Sequence, residues 1–345
     1  MDAMNSRPNV CRSERPGKSR EAKGPMGTPD FLRKHAQTPW TENYLVAGVV
    51  GAISTNSQEI LAAAESSFCP AEDVHTKPRM HWRLWVDPSG TTQPPWPKPT
   101  FRGLDHLIFA GLDAQSSILI DLHRRRAIGR LSPALAADQG RWKSKIFPNL
   151  LTLMGPAIGV TGLHCACVVR DGAGILLTGR SGAGKSTLTL AMTRRGFSFL
   201  SDDWTYFSRF EGALWAWGLI PRLKLLPPAA ELFPELAQME TTVSLNGEEA
   251  FEIDPNHNLG VPRSRYCQPR ELVFLERSSI PEFTLSRMPT SQAVAHLEEN
   301  LLADTPDGLQ PQLEVVHSLV QRGCWQLRYG EDPDTVARKL AGFFT

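Results

Sequence analysis

An octapeptide in the middle of the chain constrains the fold more than any other feature of the sequence. Residues 179–186 read GRSGAGKS and match the pattern G-x-x-x-x-G-K-[ST]. The apolar segment ILLT at 175–178 precedes the octapeptide, and a helical pattern follows it. The sequence therefore predicts a strand, a glycine-rich loop and a helix in succession, an arrangement typical of α/β domains that bind phosphate.

The residue types of this loop suit the binding of ATP with Mg²⁺. Glycines let backbone N–H groups approach phosphate oxygens, and the N-terminus of the following helix adds partial positive charge. The Lys185 ammonium is predicted to bind the terminal phosphates, and the Ser186 hydroxyl to ligate Mg²⁺. The alternative is a glycine-rich turn without a ligand. The predicted nucleotide-binding residues are Gly179, Arg180, Ser181, Gly182, Ala183, Gly184, Lys185, Ser186 and Thr187.

Two adjacent aspartates, Asp202 and Asp203, follow the next predicted strand, FSFL at 197–200. A right-handed strand–helix–strand unit would place the end of this strand beside the glycine-rich loop. Neighbouring side chains on extended backbone point to opposite sides, so one carboxylate can face the metal ion and the other the attacking hydroxyl. The alternative is that both aspartates cap a helix or form a turn.

A histidine, His164, lies near the start of the strand before ILLT. The segments 163–170 and 175–179 predict two buried strands joined by a tight turn. A turn centred on 171–174 would bring His164 close to Ser181 in the loop. The imidazole could there stabilise charge or tune the neighbouring aspartate, although a purely structural role is the alternative.

Cys165 and Cys167 flank a single residue next to His164 and allow a metal site in principle. No second Cys/His pair lies at zinc-finger spacing, and one intervening residue is fewer than the usual two to four. We therefore interpret both cysteines as small apolar residues on one face of a buried strand.

The residues before 157 predict a separate, smaller domain of the α+β class. Residues 1–40 are polar and lack periodicity, which predicts a disordered extension. The domain itself is predicted over 41–156, and a second domain over 157–345. The predicted elements of the first domain are a strand at 43–54, a helix at 56–66 capped by Asn56, a hairpin from 106–112 and 117–123, and a helix at 134–155 interrupted at Pro148.

Composition excludes several classes of function. The formal net charge is +1, and 41% of the residues are hydrophobic. This balance argues against a general nucleic-acid or polybasic membrane binder. The basic segments 123–130 and 263–270 are interpreted as solvated, and the alternative for Arg263, Arg265 and Arg270 is contact with phosphates. No apolar run approaches the roughly 18–20 residues that span a bilayer, and the N-terminus lacks the apolar core of a signal peptide. We expect a cytoplasmic protein without nucleic-acid or membrane partners; homo-oligomers remain open.

The segment LHCACVVRDGAGILLTGRSGAGKSTLTLAMTRRGFSFLSDD, at 163–203, resembles the catalytic core of HPr kinase/phosphorylase and related serine kinases. In that family a histidine opens the strand before the loop, and a pair of aspartates closes the strand after it. The resemblance is specific over this segment and loose elsewhere. It implies an α/β P-loop kinase domain related to phosphoenolpyruvate carboxykinase, preceded by the smaller N-terminal domain.

Carried over by position, the resemblance implies a role for each site residue. Asp202 corresponds to the general base for the acceptor hydroxyl, and Lys185 to the phosphate clamp. Asp203 and Ser186 correspond to residues that contact the metal ion, and His164 to a residue that assists catalysis. The resemblance implies ATP and Mg²⁺ as cofactors and a serine hydroxyl of a protein or peptide as the acceptor.

The sequence departs from the family at Thr187, where the family has glutamate, and at Trp215 and Trp217, where it has a signature containing Glu and Arg. Indole rings cannot hold Mg²⁺ or phosphate, so efficient phosphorolysis is not expected. A kinase with a different hydroxyl acceptor fits these departures better. The alternatives are a small-molecule kinase of the shikimate or gluconate kinase type and a nucleotide-binding protein without catalytic activity.

Overall fold

The computed structural model describes residues 36–344 apart from 72–75, 220–221, 244–247 and 302–305. The chain divides into two compact units, Met1–Ile158 and Gly159–Thr345, called unit 1 and unit 2 below. Each combines a large sheet with helices, so the predicted α/β class is confirmed. The predicted extension lies outside the described residues, except for 36–40. No helix among the described residues is long and apolar enough to cross a membrane.

Unit 1 is built on an eight-stranded sheet with the order β3-β1-β2-β4-β8-β7-β6-β5. The pairs β2–β4 and β4–β8 are parallel, and the other pairs are antiparallel. Its elements are β1 (Trp40–Val46), β2 (Val49–Thr55), α1 (Gln58–Ser67), β3 (Cys69–Pro70), β4 (Met80–Val86), β5 (Thr100–Leu104), β6 (Leu107–Gly111), β7 (Ser117–Asp121), β8 (Arg126–Leu131), α2 (Pro133–Ala137), α3 (Gln139–Arg141), a π-helix (Trp142–Ile146) and α4 (Phe147–Ile158).

The core of unit 1 is aromatic and lies on one face of this sheet. Trp82 stacks on Phe147, with 5.7 Å between ring centroids, and Phe68 packs against both. Strands β4 and β8 alternate buried and exposed residues, which is the pattern of a sheet with one covered face. The opposite face carries exposed side chains.

Two sequence predictions for unit 1 need correction. The predicted strand 43–54 is a hairpin, because Ala47 and Gly48 have positive φ and reverse the chain. The first helix is capped by the Ser57 hydroxyl, not by Asn56, whose side chain bonds Val86 instead. The predicted hairpin of β6 and β7 is confirmed.

The helical region after β8 is interrupted at two places. Asp138 ends α2 and caps α3, so the first break falls there. The π-helix follows and changes to the α-helix α4 at Phe147, directly before Pro148. The second irregularity therefore lies next to Pro148, where the sequence predicts an interruption.

Unit 2 contains a nine-stranded sheet and a three-stranded sheet. Seven strands of the larger sheet follow the order β12-β10-β11-β18-β14-β13-β9, and the remaining two branch off, with β20 paired to β18 and β19 paired to β20. The smaller sheet has the order β15-β17-β16. The elements of unit 2 are β9 (Val160–Leu163), β10 (Ala166–Arg170), β11 (Ala173–Thr178), α5 (Lys185–Thr193), β12 (Ser198–Ser201), β13 (Thr205–Phe210), β14 (Ala213–Trp217), β15 (Leu223–Leu225), α6 (Ala229–Leu232), a 3₁₀ helix (Pro234–Gln238), β16 (Thr242–Val243), β17 (Glu249–Ile253), α7 (Pro255–Leu259), β18 (Tyr266–Arg277), β19 (Phe283–Arg287), α8 (Thr290–Glu298), α9 (Pro306–Val320), β20 (Cys324–Tyr329) and α10 (Pro333–Phe343).

The large sheet of unit 2 is covered on both faces, which explains why ILLT is apolar without alternation. On one face Leu177 packs in a cluster with Leu188 of α5 and Leu340 of α10. On the other face Leu176 packs with residues of α8 and α9, such as Val316. The three-stranded sheet contributes its apolar side chains to the cluster that contains α5. The strand before the loop and the helix after it are thus both anchored in packed layers.

Candidate phosphate-binding site

The glycine-rich loop connects the end of β11 to the start of α5, as the sequence predicts. Gly179, Gly182 and Gly184 have φ of 146°, 80° and 90°, values that side chains rarely adopt. A Cβ at Gly179 would lie 2.7 Å from the Leu275 carbonyl oxygen, whereas one at Gly182 would meet nothing within 4 Å. The loop therefore packs tightly at its start and is open at its middle.

Tyr329 holds the loop from the neighbouring strand β20. Its buried hydroxyl donates a hydrogen bond to the Ala183 carbonyl oxygen at 2.8 Å, and a Cβ at Gly184 would overlap that hydroxyl. The Arg277 guanidinium lies 4.9 Å from the Tyr329 ring centroid. Sequence analysis missed both Tyr329 and Arg277, because their proximity to the loop depends on the pairing of β18 with β20.

Lys185, the first residue of α5, is buried and turns back toward the loop. Its Nζ donates to the carbonyl oxygens of Gly179 at 3.0 Å and Arg180 at 3.5 Å. Burial lowers the pKa of Lys185, while the nearby carboxyl groups of Asp203 and Asp202 act in the opposite direction. The ammonium is thus held at the mouth of the loop by weak carbonyl partners that a phosphate could replace.

Asp202 directly follows β12 and points into the protein, with 6% of its surface exposed. Its Oδ2 accepts a hydrogen bond from the Lys224 backbone N–H at 2.9 Å, whereas Oδ1 is buried and makes no hydrogen bond with any described residue. Burial raises the pKa of Asp202 to about 7, against the opposing influence of the Lys224 N–H, the Ser186 hydroxyl and the Lys185 ammonium.

Asp203 points the other way, toward solvent, and its side chain is 67% exposed. His164 Nε2 donates to Asp203 Oδ1 at 2.7 Å, and the His164 backbone carbonyl accepts a bond from the Thr178 hydroxyl at 3.4 Å. The two aspartates thus diverge as alternation predicts. The structure brings Lys185, Asp202, Asp203 and His164 together around the loop.

The strands that carry these residues differ from the prediction in two ways. The predicted strand 163–170 is divided into β9 and β10, with His164 at the break. The turn comprises only Asp171 and Gly172, so Arg170 pairs with Ala173 and the register differs by two from the predicted one. Strand β12 pairs with β10, which therefore lies between the strands before and after α5. The two strands run parallel, and the end of β12 lies close to the loop, since Asp202 and Asp203 both act on Lys185.

Cys165 and Cys167 are fully buried free thiols. Burial raises the pKa of Cys165 to about 12, so this side chain stays protonated. Cys167 Sγ lies 3.8 Å from Cys267 Sγ across Gly174, which has no side chain to separate them. These cysteines pack as small apolar residues, in agreement with the preferred interpretation.

The two tryptophans that depart from the family pattern belong to the core. Trp215 and Trp217 are buried on β14, and the centroids of their rings lie 5.6 and 5.4 Å from that of Tyr266.

The basic segment 263–270 is not uniformly solvated. Burial lowers the pKa of Arg263, whose Nη2 donates to the Leu219 carbonyl at 3.5 Å.

No family model matches the chain. No curated protein matches it either. Among solved structures, the chain is similar to the HPr(Ser) kinase/phosphatase from Coxiella burnetii, with 13% identity over 53% of this chain and 95% of that chain and a TM-score of 0.28. Similarity at this level assigns neither a family nor an activity to the chain.

Proposed function

We propose that unit 2 binds ATP with Mg²⁺ and transfers the terminal phosphoryl group to a hydroxyl, with a serine of a protein or peptide as the acceptor. One observation carries the proposal. A buried carboxyl group, Asp202, lies near Lys185 and Ser186, with one oxygen bonded to the Lys224 N–H and the other without a hydrogen-bond partner among the described residues. A buried, unpartnered polar atom is costly, and a bound ligand would satisfy it.

The residues present fit the proposed cofactors. The backbone at Gly182 faces open space, so phosphate oxygens could approach it. Mg²⁺ prefers oxygen ligands and is usually held by one or two carboxylates together with the phosphates themselves. The Ser186 hydroxyl and Asp203 are the proposed metal-side residues. When bound, Mg²⁺ and ATP would supply the phosphoryl group and neutralise the charge on its oxygens.

The protein's own residues would perform three tasks. Lys185 exchanges its carbonyl partners for phosphate oxygens and holds them close to α5. Asp202, held at Oδ2, accepts the proton of the acceptor hydroxyl at Oδ1. A pKa of about 7 makes it a stronger base than an ordinary carboxylate, while it is still partly ionised at neutral pH. His164 orients Asp203 on the open side.

The geometry also permits the reverse division of labour between the carboxylates. In that arrangement the exposed Asp203, oriented by His164, takes the proton, and Asp202, beside the Ser186 hydroxyl, faces the metal ion. Both arrangements give the same reaction, and the pH dependence of the rate distinguishes them.

The proposal is tested by transfer of labelled phosphate from ATP to a panel of serine-containing peptides, with sugars and hydroxy acids as a second panel. We expect labelled peptide with the wild-type chain and at least a hundredfold slower transfer with Asp202→Asn, since removing a general base costs roughly 10²–10⁴ in rate. Asp171→Asn, in an exposed turn, is the matched control.

Nucleotide affinity must be measured alongside transfer. Asp202→Asn should retain ATP binding, whereas Lys185→Ala should weaken it. Labelling of a sugar or hydroxy acid in place of peptides would support the small-molecule kinase. Tight ATP binding without any transfer, unchanged by Asp202→Asn, would contradict catalysis and leave a nucleotide-binding protein.

A further inference from the structure

Strand β5 of unit 1 forms an open edge of the eight-stranded sheet. It is last in the strand order and, among the described residues, pairs only with β6. All five of its residues are exposed. An edge strand presents a row of backbone N–H and C=O groups with which another extended segment can pair.

An apolar stripe leads across the outer face of the sheet to this edge. Phe109 on β6 is opposite Leu119 on β7, which is in turn opposite Ile128 on β8. Their side chains are 46%, 44% and 55% exposed. Paired residues on one face of a sheet lie about 5 Å apart, so the three form a contiguous surface. Exposed apolar surface of this kind marks interaction sites.

The apolar stripe ends in an arginine on both sides. Arg102, the central residue of β5, is opposite Phe109, and Arg83 on β4 is opposite Ile128. The acidic residue of the same face, Asp121, is already paired with Arg124. The outer side of the open edge is therefore positively charged.

The inner side of the same edge also carries positive charge. Phe101 of β5 lines a cleft beside the helical segment, together with Arg141, Lys145 and Asn149. Arg141 is only 8% exposed, its Nη2 donates to the Pro97 carbonyl at 2.9 Å, and its buried Nε makes no hydrogen bond with any described residue.

Two carboxylates lie near Arg141 without neutralising it through an ion pair. Asp138 accepts from the Arg141 backbone N–H and from the Trp96 indole, and Asp113 accepts from the backbone of the loop before β7. Both raise the pKa of Arg141, and burial lowers it more strongly. Arg141, whose guanidinium also lies 5.8 Å from the Trp96 ring centroid, thus places positive charge beneath the inner side of the edge.

We propose that β5 binds an extended, acidic peptide segment of a partner protein, which adds to the sheet as a further strand. Its alternate side chains would face Arg102 on the outer side and the Arg141 cleft on the inner side. A second copy of this chain fits less well. Antiparallel pairing of two β5 strands over their full length would place Arg102 opposite Arg102, and like charges in opposite positions destabilise a sheet. The proposal concerns unit 1 and is independent of phosphoryl transfer.

The experiment uses fluorescence anisotropy with the full chain and a fluorescein-labelled (Glu-Val)₄ peptide. We expect saturable binding that Arg102→Glu weakens by about tenfold or more, because the reversed charge repels the acidic side chains. Arg102→Lys should retain binding. Arg79→Glu is the matched control, since this exposed arginine precedes β4, with β8, β7 and β6 between β4 and β5.

Two further probes separate strand addition from simple charge attraction. A (Lys-Val)₄ peptide should not bind, and (Glu-Pro)₄ should bind much more weakly, because proline cannot donate to the strand ladder. Binding of (Glu-Val)₄ that is absent, or equal in the Arg102→Glu variant, overturns the proposal, as does equal binding of (Glu-Pro)₄. So does a dimer in light scattering that Arg102→Glu dissociates, because the edge would then join two copies.

Discussion

The hydroxyl of Tyr329 donates to the carbonyl oxygen of Ala183 and thereby ties the glycine-rich loop to strand β20. Tyr329 is 146 residues away in sequence and almost fully buried. The same hydroxyl occupies the space that a side chain at Gly184 would need. The loop is thus held in shape by the protein itself, before any ligand is bound.

We predict that Tyr329→Phe weakens ATP binding by roughly three- to tenfold and lowers the free energy of unfolding by about 1–2 kcal/mol. The ring remains in place, but a buried carbonyl loses its partner. Affinity with a fluorescent ATP analogue and denaturant unfolding measure the two effects. Tyr44→Phe, at a buried tyrosine of unit 1, is the matched control and should leave ATP binding unchanged. Equal affinity of Tyr329→Phe and wild type would show that the loop does not depend on this bond.

We predict that Gly184→Ala abolishes ATP binding at ordinary sensitivity. Alanine at φ of 90° is strained, and its Cβ also meets the Tyr329 hydroxyl. Gly172→Ala is the matched control, because this glycine has φ of 78° but open space around it. Combining Gly184→Ala with Tyr329→Phe should give a less than additive loss of stability, since the clash with the Tyr329 hydroxyl is removed and only the backbone strain remains. Strict additivity would argue against the contact.

The buried Asp202 predicts how stability changes with pH. Its pKa is raised from 3.8 to about 7 in the folded protein, so between these values the folded state keeps a proton that the unfolded state has released. Stability should therefore fall as pH rises from about 4 to about 7 and change little from this group above pH 7. Unfolding without nucleotide or metal ion should show this slope in the wild type and a shallower one in Asp202→Asn. An unchanged slope would mean that Asp202 is not the responsible group.

The same group predicts the pH dependence of catalysis. A base must be ionised to accept a proton, so kcat/KM should rise with pH up to about 7 and then level off. Asp202→Asn should abolish this rise of kcat/KM with pH and most of the rate, while Asp203→Asn should retain the rise. If the rise is instead lost in Asp203→Asn and retained in Asp202→Asn, Asp203 is the base.

Local sequence patterns were sufficient to predict part of the site. The order of strand, loop and helix around Lys185 follows from residues that are neighbours in the chain. The opposite directions of Asp202 and Asp203 follow from the alternation of side chains on extended backbone. The hydrogen bond between His164 and Asp203 depends in addition on the pairing of β10 with β12 and of β9 with β13.

Long-range pairing accounts for what the sequence did not predict. The turn at 171–172 and a longer turn at 171–174 are both compatible with the sequence Asp-Gly-Ala-Gly, so the register could not be decided locally. The insertion of β10 between β11 and β12 depends on which strand edges meet. Tyr329 and Lys224 reach the site from distant segments, and no motif marks them. Tyr329 contacts the site through its hydroxyl and Lys224 through its backbone N–H. Neither contact can be predicted from the composition or the periodicity of the sequence.

The bond from Lys224 to Asp202 has a practical consequence for mutational mapping. Lys224 is the middle residue of β15, so the angle of the buried carboxyl depends on how β15 pairs with β17. Under the proposed mechanism, substitutions in this small sheet would slow phosphoryl transfer by changing the angle of the carboxyl, even where they contact neither nucleotide nor acceptor. A scan that scores only reaction rate would misread such positions as part of a substrate-recognition surface, whereas affinity measured separately would keep the two groups apart.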